Sequence, residues 1–219
     1  MQSCLQNWFE QWGLPQQIRF DNGKPWANPA QHYVPSALAL WLVGLGIAVT
    51  FGRPRQSTDN AVVERSHGVL ADWVEPSQRA GLVELQSGLE EFAHLQRAIY
   101  PSCNGQTRLS SYPELLQTQR YYQRAKDQDI WEIQRVMDYV ANFRFQRRVE
   151  KNGRITHFTE EYSIGRRYVA QDVTVYLDAE SHEWIIENKN GEILKQFHAK
   201  QLTYPTIAHM AMVYRKGQT

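Results

Sequence analysis

The chain has 219 residues, 42% of them hydrophobic and 21% charged, with a formal net charge of +1 at pH 7. That hydrophobic share excludes an intrinsically disordered chain, and so small a net charge excludes capture of nucleic acid by overall charge alone. Two cysteines, Cys4 and Cys103, are too few for a disulfide framework or a zinc site of their own. The length suits one large domain or two small ones. The longest apolar run, Ser36 to Phe51, is short for a membrane span. Met1-Gln2-Ser3-Cys4 lacks the basic start and apolar stretch of a secretory leader, so a cytoplasmic protein with no membrane partner is expected.

Leu5, Trp8, Phe9 and Trp12 recur at helical spacing, and Gly13 and Pro15 end that helix. Ile18-Arg19-Phe20 reads as a short strand that ends in the turn Asp21-Asn22-Gly23. Lys24 to Pro35 reads as loop. Ser36 caps an apolar helix to Leu45, and Ile47 to Phe51 is a second strand. Thr58 or Asp59 can cap a helix that runs to about Val74. On it Val62, Val69 and Trp73 share one face, and Glu64, His67 and Ala71 another. Further helices are expected over Leu82 to Tyr100 and Asp129 to Ala141. The period then changes to alternation at Phe143, Phe145 and Val149. Strands are expected over Ile155–Phe158, Val173–Asp178, Glu183–Asn188 and Glu192–Phe197, with hairpin signals at Asn152-Gly153 and Asn190-Gly191. So many short strands suggest a small barrel. The tail after Pro205 carries no clear signal.

Charge is spread unevenly. Thr58 to Tyr100 holds three Arg or Lys against seven Asp or Glu, whereas Asn142 to Arg167 holds seven Arg or Lys against three Glu. Such clusters are either solvated faces or phosphate contacts. On the strand at 143–149, alternation puts Phe143, Phe145 and Arg147 on one face and Arg144 and Arg148 on the other.

Two carboxylates stand out by context. Asp21 follows a strand, and Glu64 lies on the polar face of a helix near its start. A strand-end Asp and a helix-face Glu can converge on a hard divalent cation, which takes its other ligands from water and phosphate. The same residues serve equally well as a turn former and a surface side chain.

The blocks around them are more specific. Gly13-Leu14-Pro15, the strand Ile18–Phe20 with Asp21-Asn22-Gly23, and the run Arg53-Pro54-Arg55-Gln56 to Asn60-Ala61-Val62-Val63-Glu64-Arg65 occur in that order. In this the chain resembles the retroviral-type integrases and the related insertion-sequence transposases with an Asp-Asp-Glu active site. The likeness covers about residues 5 to 75. More loosely, the basic strand, Asn152-Gly153 and Tyr162-Ser163-Ile164-Gly165 look like the small SH3-like barrel that follows the catalytic core in such transposases.

The resemblance implies an α/β chain: a partial RNase H-like core over 1–104, a helical connector over 105–141, a small SH3-like β-barrel over 142–204 and a tail over 205–219. It implies that Asp21 and Glu64 are catalytic and hold Mg²⁺ or Mn²⁺. The chemistry would be DNA integration and transposition by phosphoryl transfer, a 3′-hydroxyl attacking target DNA. The partner would be double-stranded DNA, element ends and target, gripped by a homo-oligomer in a bacterial cytoplasm or nucleoid. Lys24, Arg53, Arg55, Arg65, Arg144, Arg147, Arg148 and Lys151 are the candidates for phosphate contact. The family's other catalytic Asp lies on an earlier strand with no counterpart here, so the core is expected to be N-terminally truncated. The alternative is a non-catalytic DNA-binding remnant or a partner of a full-length transposase. With most of the sheet missing, Trp8, Phe9, Leu38 and Trp41 are expected to be exposed.

Overall fold

The computed structural model describes residues 1–21, 34–52, 61–117 and 120–208. The protein is mixed α/β. Along the chain run α1 (Gln2–Trp12), β1 (Gln17–Phe20), α2 (Ala37–Gly44), β2 (Ala48–Phe51), α3 (Ala61–Val74), α4 (Leu82–His94), α5 (Arg108–Ser111), α6 (Asp127–Ile130) and α7 (Ile133–Ala141). There follow β3 (Phe145–Arg148), β4 (Arg154–His157), β5 (Glu160–Ser163), β6 (Asp172–Asp178), β7 (Glu183–Asn188), β8 (Ile193–His198) and α8 (Tyr204–Ala208). No helix among the described residues is long and apolar enough to cross a membrane. Packing divides the chain into two compact units, Met1–Phe51 with Tyr122–Thr219, and Gly52–Tyr121.

In the first unit β1 and β2 pair in parallel, from Gln17 opposite Ala48 to Phe20 opposite Phe51. Parallel neighbours need a crossover, and α2 lies in that connection. The Ser36 side chain caps α2 by accepting from the Ala39 N–H at 3.2 Å. Every residue from Leu38 to Gly44 is buried. A helix that is apolar all round has to be covered on all sides.

The cover comes from residues far along the chain. Phe9 of α1 stacks on Trp41 with ring centroids 6.0 Å apart, and Tyr122 meets Phe9 edge-on at 5.7 Å. α7 and α8 pack against α2. The expectation that Phe9, Leu38 and Trp41 lie exposed is therefore corrected: they are buried, because Tyr122, α7 and α8 cover this layer. Trp8 is exposed as expected. Arg124 secures α1 from the same layer. Its Nη2 donates to Asn7 Oδ1 at 2.7 Å and to the Ser3 carbonyl at 3.1 Å.

One carboxylate organises this junction. Asp127 is only 4% exposed. It accepts from Trp41 Nε1 at 2.9 Å, from the Tyr122 hydroxyl at 2.5 Å and from the Tyr204 hydroxyl at 2.8 Å. Burial, then the bond to this carboxylate, pushes Tyr122 well above the usual phenol range and Tyr204 up to about 12. The hydroxyls thus stay protonated and donate.

The single helix expected over Asp129–Ala141 is in fact α6 and α7, separated at Trp131 and Glu132. Gly44 explains the break. The Glu132 N–H donates to the Gly44 carbonyl at 3.0 Å, and Arg135 Nη1 donates to the same oxygen at 3.1 Å. Trp131 lies so close that a Cβ at residue 44 would sit 1.9 Å from its Nε1. The unpredicted α8 follows from the same packing, with Ile207 buried and Tyr204 bound to Asp127.

The later strands form a four-stranded antiparallel sheet in the order β3-β6-β7-β8 and a separate hairpin of β4 and β5. The expected barrel is corrected accordingly: among the described residues no ladder closes the strands into one. The hairpin instead packs by side chains. Tyr162 meets Phe197 at 4.9 Å, and His157 meets Trp184 at 4.3 Å. Val173, Val175, Leu177, Trp184 and Ile186 alternate along β6 and β7 as buried residues.

The second unit is different in kind. In it α3 packs on α4, with Trp73 and Phe92 rings 6.2 Å apart and Val74 against Gly88. α4 ends at His94 in a π-type turn, Leu95–Ile99, where one helix to Tyr100 was expected. Val74 is the one buried apolar side chain in this unit among the described residues. Leu82 and Val83 are 83% and 87% exposed.

Asp127→Ala removes the acceptor of three buried or half-buried donors, so a loss of about 3–5 kcal/mol is expected in urea unfolding of the full chain. A change under about 1 kcal/mol would show that the donors find other partners. Gly44→Ala is expected to expel Trp131, seen as a red shift of tryptophan emission with a lowered melting temperature. An unchanged spectrum would contradict the close approach.

Candidate functional site

Asp21 is the first residue beyond β1, one position past the last ladder pair, Phe20 opposite Phe51. Its side chain is at the surface. Glu64 is the fourth residue of α3 and also exposed. A carboxylate in the first turn of a helix is favoured by the partial positive charge of the free N–H groups. Arg65 and His67 on the same helix are exposed as well. Asp21 belongs to the first unit and Glu64 to the second. Among the described residues no three His, Cys, Asp or Glu side chains gather as a metal-binding group. Lys24, Arg53 and Arg55 lie outside the described residues, as do Asn22, Gly23 and the possible caps Thr58 and Asp59.

The basic strand separates by face, and the faces do different work. Arg144 projects from the outer face and lies over the Tyr176 ring, 3.6 Å from its centroid. Arg148 is exposed and reaches Asp172 at 3.6 Å, a pair that water screens heavily. Lys151 is exposed in the turn after β3.

Arg147 faces the other way. Its Nε donates to the Thr156 carbonyl at 3.1 Å and its Nη1 to the Gln146 carbonyl at 2.8 Å. Its Nη2 lies 3.3 Å from His157 Nδ1. Half-burial lowers the guanidinium from its ordinary range. This arginine joins the β4–β5 hairpin to β3, and each of its three nitrogens already has an acceptor. Of the arginines expected to meet phosphate that lie among the described residues, it is the one the fold employs internally.

His157 is a residue that sequence reasoning missed. It is buried among Phe145, Phe158 and Trp184. A guanidinium only donates, so Nδ1 must accept and the ring proton sits on Nε2. Nε2 has no oxygen or nitrogen partner, and the ring instead stands edge-on to Trp184 at 86°. Burial, then the charge of Arg147, holds the imidazole down to about 3. Alternation along Arg154–His157 was the available signal, since it puts His157 on the same face as Ile155. Asp127 gave no such signal, because nothing local distinguishes it from the exposed Asp129 two residues on.

No protein-family model matches this chain.

The imidazole value makes a pH prediction. The folded state holds His157 well below its ordinary 6.5, so the unfolded chain binds that proton first as pH falls. This contribution to stability is intact above pH 6.5 and declines from there toward pH 3. Between pH 6.5 and about pH 5 the loss is about 2 kcal/mol, and His157→Phe is expected to remove it. Chemical unfolding of both proteins across that window measures the difference, and parallel curves would refute the assignment.

Proposed function

We propose that this chain is a transposase/integrase-type protein of the Asp-Asp-Glu class, acting in DNA integration and transposition. The observation that carries the reading is one of order and position. Gly13-Leu14-Pro15 precedes β1, Asp21 follows that strand, α2 and parallel β2 come next, and Glu64 lies in the first turn of the following helix. The motif calls for each of these elements at that place. In this reading β1, α2 and β2 are part of an RNase H-like core, and the β-rich segment 145–198 stands as the SH3-like part.

The family reaction is metal-dependent phosphoryl transfer. Asp21 and Glu64 offer hard oxygen ligands of the kind Mg²⁺ or Mn²⁺ takes. The fit to the metal is partial, because among the described residues no third carboxylate, His or Cys joins either of them. What the chain's own residues supply is backbone contact with duplex DNA, for which Arg65, Arg144, Arg148 and Lys151 are the exposed cations of the original set within the described residues. The working form is a homo-oligomer on DNA.

The same partial fit favours a second reading, a non-catalytic DNA-binding remnant or a partner of a full-length transposase. One experiment separates the two. Incubation of the full chain with duplex DNA and Mg²⁺ is expected to give strand-transfer products, reduced to background in Asp21→Asn and in Glu64→Gln. Products that persist in both variants would sink the catalytic assignment. Duplex binding without any product in the unaltered chain would select the remnant.

A further inference from the structure

Three basic groups of the β-rich segment without acidic partners lie around two turns that the fold clamps together. The first turn, Glu150 to Gly153, follows β3, and the Gly153 N–H donates to the Glu150 carbonyl at 2.8 Å. The second is the 3₁₀ turn Arg166–Tyr168. The Gly153 carbonyl accepts from both the Ile164 and the Gly165 N–H at 2.9 Å. Gly153 has φ 77°, and a Cβ there would meet the Arg166 nitrogen at 2.8 Å. Only glycine allows the turns to come so close. Two more backbone bonds at 2.9 Å, Val149 to Gln171 and Ala170 to Val149, continue the seam.

This seam gathers Arg148, Lys151, Arg154, Arg166 and Arg167 against Glu150 and Asp172. The nearby carboxylates are already engaged. Asp172 faces Arg148, Glu161 takes Arg154 at 2.7 Å, and Glu150 accepts from the Thr156 hydroxyl at 3.3 Å. Among the described residues Lys151, Arg166 and Arg167 remain, all exposed, with no ion pair; Arg167 lies 4.7 Å over the Tyr168 ring. They come from two separate stretches of chain and are brought together by backbone geometry. Three exposed cations against the single unpaired carboxylate of Glu150 leave the double turn net positive, a surface for an extended polyanion.

We infer that Lys151, Arg166 and Arg167 form a phosphate-binding site for the backbone of duplex DNA, and that this double turn, rather than the β3 strand face, is the principal DNA contact of the segment. The inference rests on the DNA reading above and deepens it. The contact carries no base readout; it positions the duplex.

The test uses the full chain and a random-sequence DNA duplex, with affinity read by fluorescence anisotropy across salt. Three phosphate contacts make affinity fall roughly 40-fold between about 50 and about 200 mM salt, on a slope of about 0.9 per contact. Lys151→Gln combined with Arg166→Gln and Arg167→Gln is expected to lower the slope by about 2.7, while melting as the parent does because none of the three holds an ion pair. Arg144→Gln with Arg148→Gln should leave most of the slope in place. A triple variant with the parental slope overturns the site and leaves the DNA reading standing. A parent chain with no affinity for duplex DNA even at low salt overturns both.

Discussion

The first unit depends on a buried carboxylate with three donors aimed at it. Asp127 draws together Trp41 from an apolar helix, Tyr122 from the connector and Tyr204 from the last described helix. A carboxylate so enclosed is tolerable only because its lone pairs are satisfied, and each donor is placed only because the acceptor is there. The β1–α2–β2 elements therefore share their core with the later part of the chain. Their helix is covered by residues more than eighty positions away, and Gly44 is the close point where the incoming chain stops being helix and turns.

The same economy appears in the β-rich segment, where the polar groups divide between structure and surface. Arg147 and His157 are neighbours in a mostly apolar space and fix each other's roles: the guanidinium forces the imidazole to accept, and the imidazole stays neutral first because it is buried and then because protonation would set two cations side by side. An arginine consumed in this way has little left for a phosphate. At the double turn, by contrast, Lys151, Arg166 and Arg167 are exposed and held in no ion pair among the described residues.

The second unit reverses this balance. α3 carries Glu64 and Arg65 on an exposed surface, and its apolar residues Val63, Val69 and Trp73 are exposed too. A helix pair that buries so little apolar surface has little hydrophobic driving force of its own. The carboxylate of Glu64 at its start is well placed for the helix dipole.

Much of the fold was legible in the sequence where the cause is local. The strand before Asp21, the Ser36 cap, the apolar helix to Gly44, the helix that carries Glu64 and the hairpin at Gly191 all follow from spacing, capping and turn chemistry within a few residues, whereas at Asn152-Gly153 the expected hairpin is only a turn, because β3 pairs with β6 and β4 with β5. The order of motifs around Asp21 and Glu64 is likewise a property of the sequence alone. Tertiary structure decided what local chemistry leaves open. It split the helix at Trp131, since the Glu132 N–H found the Gly44 carbonyl instead of one in its own helix. It buried Trp41 and Phe9, because cover for an apolar face can come from anywhere in the chain. It sorted the arginines into internal and external ones, a distinction set by which acceptors lie within 3 Å or so and invisible in residue type. Periodicity reports which face a side chain occupies; only the assembled chain determines what that face meets.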